Sequence, residues 1–176
     1  AVTAAVSQYT PNTSRRYEAV TTDAQLDAWL EKIHGATLTA VDTETTSLDP
    51  FKARLVGISL SVMPGEAAYI PVGHQYPGAG DQLALDHVLA KLKPWLEDAQ
   101  APKLGQHIKY DTHVFANHGV SVRGTVHDTL LQSYVLESHK PHDMDDLAQR
   151  HLSIKTITYD EVTGKGAARI GFEQVS

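Results

Sequence analysis

The sequence of 176 residues contains no cysteine, which excludes disulfide staples and thiolate zinc sites and is compatible with a reducing compartment. It has no apolar run near the roughly 20 residues a membrane helix needs, and no charged–apolar–small leader opens it. A soluble cytoplasmic protein that does not engage a membrane is the expectation. Basic residues are the minority: 15 Lys and Arg against 21 Asp and Glu leave a formal charge of −6. That sign argues against a broad non-specific nucleic-acid surface, because such binding neutralises phosphates with Lys and Arg. It leaves room for an acidic pocket that holds nucleic acid through metal ions. What the chain does have is 41% hydrophobic residues with 20% charged, the balance of one folded domain with a real core.

Residues 1–16 are rich in Ala, Thr, Ser and Pro, lack acids and show no period, and they read as a linker. The domain then starts at residue 17, with Tyr17 to Val20 as a short edge strand. Thr22 reads as an N-cap before a helix whose Leu26, Trp29, Leu30 and Ile33 share one face and which Gly35 stops. Three strands follow closely: Thr37 to Glu44, Leu55 to Val62, and Ala67 to Val72 after a Pro64-Gly65 turn. They predict an antiparallel meander. A Gly/Pro-rich loop leads to a helix through Leu85, Val88, Leu89, Leu92 and Leu96, with Pro94 in its last turn ending or kinking it. Lys103-Leu-Gly is a brief strand, Ile108 to His118 a helix closed by Gly119, and Asp128 the cap of a helix over Thr129 to Glu137 with Leu130, Leu131, Tyr134 and Val135 apolar. A short helix is expected from Met144 to His151, and beyond Ser153 the pattern weakens. The fold class is α/β: a mixed sheet, antiparallel meander plus parallel strands, flanked by helices.

Asp42 and Glu44 are two apart on a strand, so their side chains leave the same face. Two carboxylates so placed repel each other unless something positive lies between them. A hard divalent cation such as Mg²⁺ answers that need, since it takes carboxylates, waters and phosphate oxygens. Asp-Thr-Glu reads equally as a polar strand end entering a turn. Asp111, after Lys109-Tyr110, reads by itself as a first-turn acid favoured by the helix dipole. Brought beside the first meander strand, it makes a pocket of three carboxylates, a contact that sequence spacing cannot show.

Several blocks occur in a telling order: Val41-Asp-Thr-Glu-Thr-Thr-Ser-Leu, Leu55-Val-Gly-Ile-Ser-Leu, Ala67-Ala-Tyr-Ile-Pro-Val, Leu92-Lys-Pro-Trp-Leu-Glu-Asp, Gly105-Gln-His-Ile-Lys-Tyr-Asp, His142-Asp-Met-Asp-Asp-Leu-Ala and Lys155-Thr-Ile-Thr-Tyr. In this order they resemble the 3′→5′ proofreading exonuclease domain of bacterial DNA polymerase I, a DEDD exonuclease of family A polymerases. The resemblance covers residues 17–176 and implies a ribonuclease-H-like fold. It also implies hydrolysis of the 3′-terminal phosphodiester of DNA with release of nucleoside monophosphates, in replication and repair. Two Mg²⁺ ions are implied, with Mn²⁺ or Zn²⁺ as substitutes. Asp42 would bridge both ions, Glu44 would hold the nucleophile-side ion, and Asp111 would bind the second through water. The implied partners are a single-stranded 3′ end and the polymerase domain of the same longer chain, in a nucleoid-associated bacterial setting.

By the same resemblance, Leu48 is an apolar wedge against the terminal base and Tyr159 an aromatic for stacking, while Gln106, His107 and Tyr110 line the strand path. Stacking on an aromatic tolerates every base, which suits a nuclease that does not read sequence. His107 departs from the Asn more usual at its position. The third motif of the family, Tyr followed four residues later by Asp, belongs after Phe172-Glu-Gln-Val-Ser. The resemblance therefore implies a C-terminally incomplete domain with three acids of four, weak metal binding and little turnover. A catalytically silent module bracing a polymerase, and an RNA-trimming exonuclease of the same fold, are the competing functions. The 10 histidines are scattered without a zinc pattern. Gly164-Lys-Gly lacks the context of a phosphate loop, and Asp143, Asp145 and Asp146 read as helix start and capping.

Overall fold

A computed structural model describes residues 15–176; the expected linker therefore lies almost wholly outside the described residues. Strand β1 (Arg16–Ala19) leads into helix α1 (Asp23–Gly35), and β2 (Thr39–Thr45), β3 (Leu55–Met63) and β4 (Glu66–Pro71) follow. Then come α2 (Leu85–Leu96), β5 (Lys103–Gly105), α3 (Ile108–Asn117), β6 (Thr125–Asp128) and α4 (Thr129–Glu137). Short helices α5 (Met144–Leu147), widened by a π turn over Ala148–Leu152, and α6 (Tyr159–Thr163) precede 3₁₀ turns at Gly166–Ala168 and Phe172–Gln174.

Local chemistry sets these boundaries. Thr22 and Gln25 form a reciprocal capping box at the start of α1, and the Asp128 carboxylate accepts from the Leu130 and Leu131 amides at the start of α4. Pro64 and Gly65 (φ 85°) turn β3 into β4. Pro94 is absorbed in the last turn of α2 rather than ending it.

The six strands run in the order β1-β4-β3-β2-β5-β6. The β2–β3–β4 meander is antiparallel, whereas β1 pairs parallel with β4, β5 with β2 and β6 with β5. The expected mixed sheet is what the chain forms. Its two faces differ sharply. Val41, Ile58, Leu60, Ala68 and Ile70 join one core with Leu26, Trp29 and Ile33 of α1, Val88, Leu92 and Trp95 of α2, and Val114 and Phe115 of α3. Each large side chain buried there contributes about 1.5–3 kcal/mol. Cross-strand register places Ala40, Asp42 and Glu44 opposite Ser61, Ser59 and Gly57 on the other face. Those three stand opposite Ala67, Tyr69 and Pro71. The face that bears the acids is thus built of small residues, with one large ring.

Some elements differ from expectation. Strand β6 was not legible, because Thr125-Val-His-Asp is short and polar. Leu131 and Val135 of α4, expected on an apolar face, are 60% and 86% exposed. No helix among the described residues is long and apolar enough to cross a membrane.

Candidate active site

Strand β5 pairs with β2 only at Thr39 and Ala40. Beyond that point the edge of β2 is left to the chain after β5. Gly105 makes the approach possible, since a Cβ there would meet the Val41 carbonyl and the Ile108 side chain at 3.0 Å each. The backbone turns at His107, which is left-handed (φ 61°, ψ 40°), and α3 starts beside the acid-bearing half of β2. The result is that Asp111, 68 positions from Thr43, accepts a hydrogen bond of 2.6 Å from the Thr43 hydroxyl.

Asp111 is 2% exposed, and burial is the main force lifting its pKa to about 7; the Thr43 hydroxyl opposes the lift and the charge of Asp42 adds to it. Glu44 is half-buried and also raised to about 7, by burial first and then by the charges of Asp42 and Asp111. Asp42 is raised by burial, with the Thr43 amide pulling the other way. The three acids therefore share one electrostatic neighbourhood, and among the described residues no basic side chain figures in their shifts. They are not, however, closed around one point: among the described residues no three acidic or histidine side chains are gathered as a metal-binding group. The reason is visible in the pairing of Asp111 with Thr43, whose side chain leaves β2 on the core face while Asp42 and Glu44 leave it on the other. As donors, three carboxylates, one buried and two half-buried, fit a hard divalent cation; Asp111 is held by Thr43.

The other expected residues fall around this edge. Tyr110 is half-buried; its hydroxyl donates to the Ser47 carbonyl at 2.5 Å and also contacts the Thr45 hydroxyl. It thereby clamps α3 to the loop after β2, and that loop holds Leu48 91% exposed. Gln106 shares with Asp42 the wall of a cavity of about 330 Å³. Both ends of its amide are engaged within the protein, donating to the His142 carbonyl at 2.8 Å and accepting from the Thr129 hydroxyl at 2.6 Å. The His107 ring is exposed, and its backbone amide donates to Asp128 at 3.1 Å. Tyr159 opens α6 and stacks on Phe172 with centroids 6.2 Å apart. Phe172 in turn lies 6.0 Å from His74, and His74 reaches Tyr69. A row of rings thus leads from Tyr159 back to the sheet.

Two residues beside the acids were not singled out from the sequence: Thr43, the partner of Asp111, and Tyr69. A signal for the second existed. Gly57 inside a strand marks close approach of another group, and the Tyr69 ring lies across it, so that a Cβ at Gly57 would fall 2.0 Å from the hydroxyl.

Carboxylates set on the small-residue face of a mixed sheet offer oxygen donors of the kind that hard divalent cations take. The chain is a member of the 3′-5′ exonuclease family, whose sequence pattern matches residues 17–175. That family uses divalent metal ions, and the domain is of a nuclease kind. It is 48% identical over 163 residues to DNA polymerase I of Pseudomonas aeruginosa, covering 91% of this chain and 18% of that protein. It is 36% identical over 169 residues to DNA polymerase I of Rhizobium leguminosarum, covering 85% and 16%. The chain thus spans less than one fifth of the length of these relatives. Among solved structures, Pol1 from M. smegmatis in complex with DNA primer-template and dNTP is similar with a TM-score of 0.65 at 24% identity over 80% of this chain and 23% of that one. Brucella melitensis NrnC with bound Mg²⁺ gives 0.58 at 20% identity over 88% and 70%. These two likenesses establish the fold.

Proposed function

We propose that this chain is the 3′→5′ proofreading exonuclease domain of a DNA polymerase I, occupying residues 17–176 and joined by its N-terminal linker to the rest of that protein. The reaction is hydrolysis of the last phosphodiester of a single-stranded DNA 3′ end. Water oxygen bonds to phosphorus, the bond from phosphorus to the 3′ oxygen of the penultimate nucleotide breaks, and that oxygen takes up a proton. The products are a nucleoside 5′-monophosphate and a strand one residue shorter. The observation that supports this reading most is Asp111 held at the edge of the strand that bears Asp42 and Glu44, where burial first and the neighbouring acids second raise Glu44 and Asp111 to about 7.

Asp42, Glu44 and Asp111 are the residues that would hold divalent ions, Mg²⁺ in the cell, with Mn²⁺ or Zn²⁺ as substitutes. Two such ions, when bound, supply an activated water and offset charge on the reacting phosphate. Asp42 and Glu44 present their oxygens from one strand face, so neither needs a backbone movement to meet a phosphate laid on that face. Asp111 approaches from the strand edge and is kept there by Thr43. Leu48, exposed on the loop clamped by Tyr110, would pack against a terminal base. Tyr159 offers a ring for stacking, worth about 1–3 kcal/mol, and Gln106 and His107 border the path of the strand. Retention of the three acids favours an enzyme over a silent bracing module.

The test uses both this polypeptide and one extended by the segment that follows in the longer relatives. Each is incubated with 3′-labelled single-stranded DNA and Mg²⁺, with matched RNA in parallel. The extended form is expected to release mononucleotides from DNA, the short form little, and Asp42→Ala none. Equal release by Asp42→Ala and the unaltered extended form, or a preference for RNA, overturns the reading.

A further inference from the structure

Three consecutive residues at the end of β5, Gly105, Gln106 and His107, are gripped by two consecutive residues where β6 passes into α4. Strands β5 and β6 run parallel with Gly105 opposite Asp128, so the start of α4 lies beside the turn that leads into α3. One Asp128 carboxylate oxygen accepts from the His107 amide at 3.1 Å while it also caps α4. The Thr129 hydroxyl lies 2.6 Å from Gln106 Oε1 and 3.3 Å from the Gly105 carbonyl oxygen. Thr129, Gln106 and Asp42 line the same cavity, so this junction shares a wall with the first of the acids.

The chemistry of these contacts fixes which way the Gln106 amide faces. The His142 carbonyl can only accept, so the amide nitrogen is the end that lies 2.8 Å from it, and the amide oxygen is the end that meets Thr129. The single Thr129 hydroxyl hydrogen goes to that oxygen, the nearer of its two acceptors. Turned end for end, the amide would set oxygen against oxygen at His142. His142 is itself held: it is 7% exposed, its Nδ1 lies 2.8 Å from the Ser133 hydroxyl, and its ring centroid is 3.7 Å from that of Tyr134. These two bonds leave the amide one N–H and one lone pair.

We infer that Thr129 is a positioning residue: together with the His142 carbonyl it locks the Gln106 amide so that its remaining N–H is offered, in a fixed orientation, to an oxygen of the bound strand. This rests on the proposed function, in which Gln106 borders the path of the strand. It names what Gln106 recognises there, an acceptor such as a phosphate or sugar oxygen, which every nucleotide carries. Without the Thr129 hydroxyl the amide keeps only its bond to His142, and strand binding then bears the cost of fixing a looser side chain. The hydroxyl bonds to Gln106 and Gly105 rather than to an acid, so its loss falls on binding and not on the hydrolytic step.

The experiment is steady-state hydrolysis of 3′-labelled single-stranded DNA by the extended form with Mg²⁺. It compares the unaltered sequence with Thr129→Val, Thr129→Ser, Gln106→Ala, the double variant Gln106→Ala/Thr129→Val, and Asp42→Ala. Thr129→Val keeps the shape of the side chain and removes the hydroxyl. It is expected to raise KM about two- to tenfold, the worth of one hydrogen bond, with kcat unchanged, and Thr129→Ser should restore KM. Added to Gln106→Ala, Thr129→Val should change KM no further, because a residue that acts through Gln106 then has nothing to orient. Where thermal unfolding shows that Thr129→Val does not fold, Thr129→Ser against Thr129→Ala makes the same comparison, since those two differ in the oxygen alone. An unchanged KM on loss of the hydroxyl, an equal fall in kcat and kcat/KM, or full additivity with Gln106→Ala overturns the role of Thr129 alone, provided Asp42→Ala is inactive. Activity of Asp42→Ala equal to that of the unaltered form overturns the proposed function and this inference with it.

Discussion

Raising the pH from about 5 to about 8 without divalent ions strikes the carboxylate site directly, because its acids are the groups that lose protons over that range. Asp111 is 2% exposed with a pKa lifted from 3.8 to about 7, and Glu44 moves from 4.5 to about 7. A folded-state pKa above the unfolded value means that the folded protein binds protons more tightly, so stability is full below about pH 4 for these groups. It is lost as the pH rises through about 7. At about 1.36 kcal/mol per pH unit, the displacement of Asp111 alone corresponds to about 4 kcal/mol. Glu44 shares the same repulsion and is not added to it. Between about pH 5 and 8, about two pH units of that displacement, about 2.7 kcal/mol, are lost, and for a domain of this size about 2–4 °C per kcal/mol converts this to a fall in Tm of about 5–11 °C. Trp29 and Trp95, 1% and 2% exposed, report unfolding through their fluorescence. Saturating Mg²⁺ is expected to flatten the profile, and Asp111→Asn to remove much of the slope while raising stability at the alkaline end by about 2–4 kcal/mol. A metal-free profile that is flat or rises from about pH 5 to 8 would refute the reasoning, because the acids would then be neither desolvated nor mutually repelling.

Further outcomes follow from single contacts. Thr43→Val takes away the hydroxyl that Asp111 accepts from; urea unfolding should show a loss of about 1–3 kcal/mol, and Asp111 should titrate still higher by NMR. Leu48→Ala, at a side chain 91% exposed, should leave stability within about 0.5 kcal/mol. In the extended form, the same change should weaken capture of a single-stranded 3′ end, read as a rise in KM. Gly57→Ala places a methyl against the Tyr69 ring and is expected to cost about 1–3 kcal/mol by overpacking, measured by the same unfolding assay. Leu92→Ala, in the core between α2 and the sheet, should cost about 2–5 kcal/mol.

The elements that carry local signals were legible in the chain. Helix α1 runs from the Thr22 cap to Gly35 as the cap and glycine predict, and the meander follows from its closely spaced strands and Pro64-Gly65. Strand β6 escaped because only its pairing with β5 makes Thr125–Asp128 a strand. Helix α6 escaped although Thr158 and Glu161 form a capping box, because no sustained apolar period followed them. In α4 the apolar residues were seen, but periodicity does not say which apolar side chains a neighbour covers, and Leu131 and Val135 remain exposed. The site shows the same division. Asp42 and Glu44 on one face follow from strand geometry alone. The meeting of Asp111 with β2 depends on β5 ending at Gly105 and leaving the strand edge open, a tertiary event that spacing does not encode. Tyr69 needed the register of β3 and β4 before its place over Gly57 could be seen.

The left-handed turn at His107 bears on which exchanges this region tolerates. Gly and Asn enter that conformation at little cost, whereas β-branched side chains resist it. Residue 107 thus acts as a conformational gatekeeper, chosen by torsion angles as much as by its ring. A Val or Ile there would draw the backbone toward extended angles, unwind the opening of α3 and carry Asp111 off its perch, so an inactive variant could arise with every acid still in place.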